Sequence, residues 1–381
     1  MRSAAIAGVG ESRSGIVSDR TALQLHADAA HAALADAGLT IGEVDGLFSC
    51  GDGIDLLHVV RLAEYLDIRP TYVDSTFTGG SAWETFVEHA SLAIAAGVCD
   101  VALIVYGSTQ RSDAGRRLGT ATRGRAKGPR QFEVPFGSST VAEYALAAQR
   151  YLYEFDATPE QLASVAVSTR QHASTNPLAM YRDPITVDDV LSSKMVASPL
   201  HLLDCCVISD GGGALVMTSL DRARDLQKQP AVVLGAASAL GSMTVAQSEN
   251  ILDVPTRVSG ERAFAQAGLS PSDVDVAQLY DSFTITVLLQ LEALGFCERG
   301  TAGSWAADGG MDLDGPLPTN TDGGGLSANH PGMRGIFLLI EAVRQLRGEA
   351  IRQVPGAEIA VCSGMGGLLS SSSTIVLGAD L

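Results

Sequence analysis

Three segments of this sequence carry side chains that can move protons or stabilise a developing oxyanion. The first is Thr321-Asp-Gly-Gly-Gly-Leu-Ser-Ala-Asn-His-Pro-Gly332. Its three consecutive glycines let the backbone approach a ligand closely, and His330 stands directly before a Pro-Gly that opens a predicted amphipathic helix reaching about Leu346. The second is Ala360-Val-Cys-Ser-Gly-Met-Gly-Gly367, which reads as a strand ending in small residues. Taken alone, Cys362 fits a buried small apolar residue equally well. Beside His330 it would exchange protons, with the Gly364 N–H as an oxyanion donor. The third is Gln278-Leu-Tyr-Asp-Ser-Phe-Thr284, with Tyr280 at the end of a predicted strand. Its bland alternative is a buried tyrosine with a satisfied hydroxyl.

The elements that must bring these segments together repeat. Ala33 to Asp45 recurs as Ala263 to Asp275, with seven of thirteen positions identical and Thr/Ser and Glu/Asp exchanges at two more. Each copy reads as the end of an Ala-rich helix, a glycine cap (Gly38, Gly268), a polar turn and a strand entry. One α/β unit used twice would place equivalent strand ends around a shared axis. The first half reads as strands at 4–9, around Leu47, at 71–74 and 101–106, with helices at 21–37, 54–66 and 81–96. The second reads as strands at 231–234, 276–280, 359–362 and 374–378, with helices at 259–267 and 284–294. We divide the chain at 225/226, giving halves 1–225 and 226–381. The stretch from about 109 to 210 has no counterpart in the second copy and is expected to be a loop or lid insertion covering the site. It includes a predicted helix from Pro159 to His172 behind the capping box Thr158-Pro-Glu-Gln161.

Composition bounds the function. With 381 residues and 46% apolar content the chain can bury two domain-sized cores. A formal charge of −17 disfavours a nucleic-acid or anionic-membrane binder. No apolar run is long enough for a membrane span, and the start fits a first strand better than a signal peptide. The six cysteines are scattered, with neither a disulfide framework nor a zinc spacing, so a cytoplasmic location and no metal are expected. Against this acidic background, residues 111–130 hold seven basic residues and one acid. Arg116, Arg117, Arg123 and Arg125 form either a solvated loop or a recruiting surface for a polyphosphorylated ligand or an acidic partner; coenzyme A would suit it.

The duplication and the three segments together resemble the thiolase superfamily over nearly the whole chain. Asn329-His-Pro331 and Cys362-Ser-Gly364 stand where thiolases carry a Gly-His-Pro loop end and a Cys-x-Gly strand end. Leu202-Leu-Asp-Cys-Cys-Val-Ile-Ser-Asp-Gly-Gly-Gly-Ala214 further resembles the sterol carrier protein and lipid-transfer branch; Cys205 and Cys206 are taken as structural. The resemblance implies a five-layered α/β/α/β/α thiolase fold, a homodimer, a coenzyme A thioester as substrate and no permanently bound cofactor.

Two departures bear on mechanism. The position of the thiolase nucleophilic cysteine falls on Phe77 in Asp74-Ser-Thr-Phe-Thr-Gly-Gly-Ser-Ala82, and a phenyl ring cannot carry an acyl group. Thr78 could replace it only with a neighbouring base. Tyr280 stands where thiolases have the Asn of an Asn-Glu-x-Phe motif. Both changes are shared by the steroid side-chain aldolases, which cleave a β-hydroxyacyl-CoA by retro-aldol chemistry with a small partner built from an OB-fold and a zinc ribbon. Those aldolases have a tyrosine where this chain keeps His330. His330, Tyr280 and Cys362 are thus expected to be catalytic, and Phe77, Thr78, Gly79 and Trp83 to line the substrate pocket. The rival readings are an acyltransferase accepting the acyl group on Thr78, Cys362 or a partner thiol, and a non-catalytic acyl-CoA-binding subunit.

Overall fold

A computed structural model describes residues 3–51, 57–114, 128–137 and 139–380. The first half runs β1 (Ala4–Glu11), α1 (Ala22–Ala37), β2 (Gly46–Phe48), α2 (His58–Tyr65), β3 (Tyr72–Asp74), α3 (Ala82–Ala95) and β4 (Ala102–Ser108). The insertion supplies α4 (Gln110–Ala114), α5 (Thr140–Glu154), α6 (Pro159–Ala173), α7 (Val187–Ser192) and a hairpin, β5 (Met195–Ala197) with β6 (Leu200–His201), before β7 (Gly211–Ser219). After α8 (Leu220–Arg224) the pattern restarts with β8 (Ala231–Leu240), α9 (Thr256–Ala267), β9 (Val276–Leu279) and α10 (Thr284–Ala293). It closes with α11 (Ala302–Ala307), α12 (Gly335–Arg347), β10 (Ile359–Gly366) and β11 (Ser371–Ala379).

The repeated segment has the same structural role in both halves. Gly38 and Gly268 cap α1 and α9 in the left-handed region, at φ of 72° and 68°. In each turn a hydroxyl residue and an acid form a capping box, Thr40 with Glu43 and Ser270 with Asp273. The segment's last aspartate then ties down the start of a neighbouring strand. Asp45 accepts from the Val101 amide at 2.8 Å beside β4, and Asp275 accepts from the Ile359 amide at 2.8 Å in β10. The segment's first alanine marks equally close helix-to-strand packing: a Cβ on Gly8 would lie 2.3 Å from the Ala33 carbonyl, and one on Gly235 2.0 Å from the Ala263 carbonyl.

The strands order as β3-β2-β4-β7-β1-β8-β11-β10-β9. Outward from its centre, β1, β7, β4 and β2 match β8, β11, β10 and β9. The halves join through two residue pairs, Ala5 with Val232 and Ile6 with Ala231. Helices α3 and α12 touch each other and strands of both halves, while α1 packs on β1, β7 and β4, and α9 on β8 and β11. The layering is thus helix, half-sheet, helix pair, half-sheet, helix, the expected five-layered α/β thiolase arrangement. Boundaries moved where packing overrides local signals: β8 reaches Leu240 and β10 reaches Gly366, because both pair with β11 along its length.

Candidate active site

Tyr280 follows β9 and is fixed through its backbone. Its amide donates to Ser363 in β10 at 3.0 Å, and its carbonyl accepts from Gln290 Nε2 of α10 at 2.7 Å. Gly80 makes room for the ring, since a Cβ there would lie 2.4 Å from ring carbons. The loop bearing His330 is held from three sides. Asp281 accepts from the amides of Gly325 and Leu326 at 2.7 and 3.1 Å, within a π-helical turn over Gly324–Ala328. Arg170 of α6 reaches Ser327 Oγ at 2.7 Å, and the His330 amide donates to Ser209 Oγ at 3.0 Å. Arg334, fully buried, donates to the Asn329 carbonyl at 2.8 Å and pairs with Asp322 and Asp281.

This scaffolding places Tyr280 Oη 3.0 Å from His330 Nε2. The Arg334 amide donates to the same hydroxyl at 3.2 Å. An oxygen that already accepts one hydrogen can direct its own to His330 Nε2, and in a neutral ring the proton then sits on Nδ1. Nδ1 has no protein partner. Burial, reinforced by the Arg334 charge, lowers the His330 pKa to about 4. Burial also pushes the Tyr280 phenol well above its ordinary range. At neutral pH the pair is therefore an uncharged imidazole beside an uncharged phenol, able to relay a proton.

Both residues line a cavity of about 640 Å³, together with Phe77, Thr78, Gly79 and Gly80. Helix α5 of the insertion contributes Thr140, Val141 and Tyr144 to its wall. Phe77, which the sequence resemblance sets at the nucleophile position, is half exposed. Thr78 Oγ1 accepts from Ser81 Oγ at 3.2 Å, a hydroxyl neighbour that cannot serve as its base.

Three expected site residues lie elsewhere. Cys362 is wholly buried, its Sγ donating to the Leu338 carbonyl of α12 at 3.5 Å, and it does not line the cavity. Gly364 abuts α3 instead of the cavity: a Cβ on it would lie 2.1 Å from Glu84 Oε2. Met365, Gly366 and Gly367 take its place in the wall. Trp83, read as pocket wall, is fully buried against Phe86 and Tyr106, with ring centroids 5.6 and 4.7 Å apart. Arg116, Arg117, Arg123 and Arg125 lie outside the described residues.

Sequence reasoning missed Arg334, Asp281, Ser209 and the position of Cys206. Arg334 carried no signal, because a lone arginine at a helix start reads as a solvated charge. Asp281 sits beside Tyr280 in the segment already singled out. Cys206 is the one cysteine lining the cavity, and burial raises its thiol well above the ordinary range, so it is not a thiolate at neutral pH. Among the described residues no group of three or more His, Cys, Asp or Glu could hold a metal ion. Nor is any helix among them long and apolar enough to cross a membrane.

The N-terminal domain model of the thiolases matches residues 3–221, and the thiolase C-terminal domain-like model matches residues 237–379. The chain belongs to the thiolase family. Within it, the chain is 41% identical to a "steroid side-chain-cleaving aldolase" of Thermomonospora curvata, over 99% of this chain and 98% of that one. It is 39% identical to a "17-hydroxy-3-oxo-4-pregnene-20-carboxyl-CoA lyase" of Mycobacterium tuberculosis, over 95% and 96% of the two chains. The solved structure of an "Ltp2-ChsH2(DUF35) aldolase" superposes with a TM-score of 0.90 at 38% identity, covering 99% of this chain and 98% of that chain. In this chain the Tyr280–His330 pair shares its cavity with Phe77, the residue that the sequence resemblance sets at the nucleophile position.

Proposed function

We propose that this chain is a thiolase-family carbon–carbon lyase that cleaves a β-hydroxyacyl-CoA, of steroid or related lipid side-chain type, without an acyl-enzyme. The observation that carries the reading is the Tyr280–His330 pair in the wall of a cavity that Phe77 also lines; by the sequence resemblance Phe77 takes the nucleophile's place. Relatives at 41% and 39% identity, named as an aldolase and an acyl-CoA lyase, support it.

The chemistry uses the pair in sequence. Tyr280 Oη takes the β-hydroxyl proton as its own passes to His330 Nε2. The Cα–Cβ bond then breaks, the β-carbon becomes a carbonyl, and the electron pair collects on the thioester enolate. His330, now carrying hydrogens on both ring nitrogens, offers Nδ1–H to the enolate oxygen. The proton on Nε2 returns through Tyr280 to the α-carbon, so atoms and charge balance without oxidant or metal.

The partner reading rests on the solved aldolase named with a DUF35 component. We propose a homodimer that works with a small DUF35-type protein of OB-fold and zinc-ribbon build. The test is to incubate the protein, alone and with a DUF35 protein, with a β-hydroxyacyl-CoA and to measure ketone and shortened acyl-CoA. Equal amounts of both support the lyase; an acyl group attached to the protein contradicts it.

A further inference from the structure

A second chamber of about 590 Å³ adjoins the first. Phe77, Gln110, Gly332 and Met333 line both, so a ligand in one meets the other at Phe77. Each volume falls within the roughly 300–1,000 Å³ usual for small-molecule sites. The second chamber mixes apolar surface from Leu23 and Met333 with His26, His58, Arg61 and Asp113. The phosphates of a nucleotide would need several cations, and among the described residues the wall carries one, Arg61, together with one carboxylate, Asp113. The lining suits a hydrocarbon body carrying a few polar groups.

His26 shows which polar group. Its Nδ1 lies 2.8 Å from the Ala22 carbonyl, which only accepts, so Nδ1 carries the ring hydrogen. Burial holds the ring neutral, lowering its pKa to about 3. Nε2 is then a bare acceptor, and it has no protein partner. The nearby His58 is engaged otherwise: Ser49 Oγ donates to the Val105 carbonyl at 2.7 Å and so accepts from His58 Nε2 at 3.0 Å. The backbone of β4 holds the His26 ring in place, for a Cβ on Gly107 would lie 2.6 Å from its Nδ1. A buried, unpaired acceptor in the chamber's wall is costly unless a ligand donates to it.

We propose that the second chamber takes the far end of the acyl group, and that His26 Nε2 accepts a hydrogen bond from a hydroxyl carried there. The chain is then selective for hydroxylated over oxo acyl groups. An oxo group offers only lone pairs and would face the Nε2 lone pair. This rests on the reading that the first chamber takes the acyl thioester.

The test is equilibrium binding of two steroid ketones that contain no thioester, 3-hydroxyandrostan-17-one and androstane-3,17-dione, to the unaltered protein and to His26→Phe. The alcohol is expected to bind about five- to tenfold more tightly than the dione, the worth of one hydrogen bond. In His26→Phe that preference disappears while the dione binds as before. Equal binding of the pair to the unaltered protein, preference retained in the variant, or no saturable binding of either steroid would each overturn the proposal. If the variant fails to fold, the comparison on the unaltered protein decides alone. Neither steroid can be cleaved, so failure of the lyase assay and failure of this one are separate results.

Discussion

The Tyr280 ring fills the space that a side chain on Gly80 would need, a Cβ there lying 2.4 Å from ring carbons. The same Cβ would be 2.3 Å from the Met365 carbonyl, so the ring cannot be accommodated by a small backbone shift on the other side. Gly80→Ala is therefore expected to displace the phenol from His330 and lower kcat about a hundredfold, the usual cost of misplacing a reacting group by an ångström. Near-unaltered kcat in this variant would separate Tyr280 from the chemistry.

Tyr280→Phe and His330→Ala should each lower kcat by about a hundredfold or more. If the two act as one relay, the double variant should lose far less than the product of the single losses. Cys362→Ala should behave differently. Its thiol faces α12, so the variant should keep kcat and lose stability instead, on the order of 1 kcal/mol by urea denaturation.

Acid behaviour follows from the buried imidazoles. His330 must be unprotonated to take the relayed proton, and its pKa is lowered to about 4. The kcat/KM profile should therefore show no limb near 6.5 and should fall only as the pH approaches about 4. A limb at 6.5 would mean a solvated base. His172, whose pKa burial lowers to about 4, affects stability with the same sign. The unfolded chain binds that proton at about 6.5, so the stabilisation is complete above 6.5 and is lost as the pH falls toward 4. Measured by urea denaturation, the unaltered protein should lose on the order of 2–3 kcal/mol more than His172→Gln across that window.

Arg334 is the cation of a buried cluster with Asp281 and Asp322. Arg334→Met should leave these carboxylates without it and cost about 3–5 kcal/mol in urea denaturation. A loss under 1 kcal/mol would show that the cluster relaxes or takes up protons.

The repeat made much of the fold readable: Gly38 and Gly268, Asp45 and Asp275 keep the same backbone duties in both copies, and local chemistry dictates them. His330 and Tyr280 were legible because both stand at element ends. Cys362 and Gly364 were misplaced because the face of a strand is set by register. Period-two alternation puts both on the side of β10 that packs against α12 and α3, and only the two-sided packing of that helix pair reveals which side is which. Trp83 stands six residues from Phe77, but the first turn of α3 rotates it into the core. Arg334 drew no attention because its importance comes from partners that only the folded loop and strand end bring to it, Asn329, Asp322 and Asp281.

The most direct test of the mechanism is whether turnover needs free coenzyme A. A thiolase must pass its acyl group to that thiol, whereas a retro-aldol releases both products with no acceptor. With a β-hydroxyacyl-CoA as substrate and free coenzyme A removed enzymatically beforehand, sustained turnover, equal ketone and acyl-CoA, and an unchanged protein mass throughout are expected. A single-turnover burst that stops until coenzyme A is added, with an acyl group on the protein meanwhile, would contradict it.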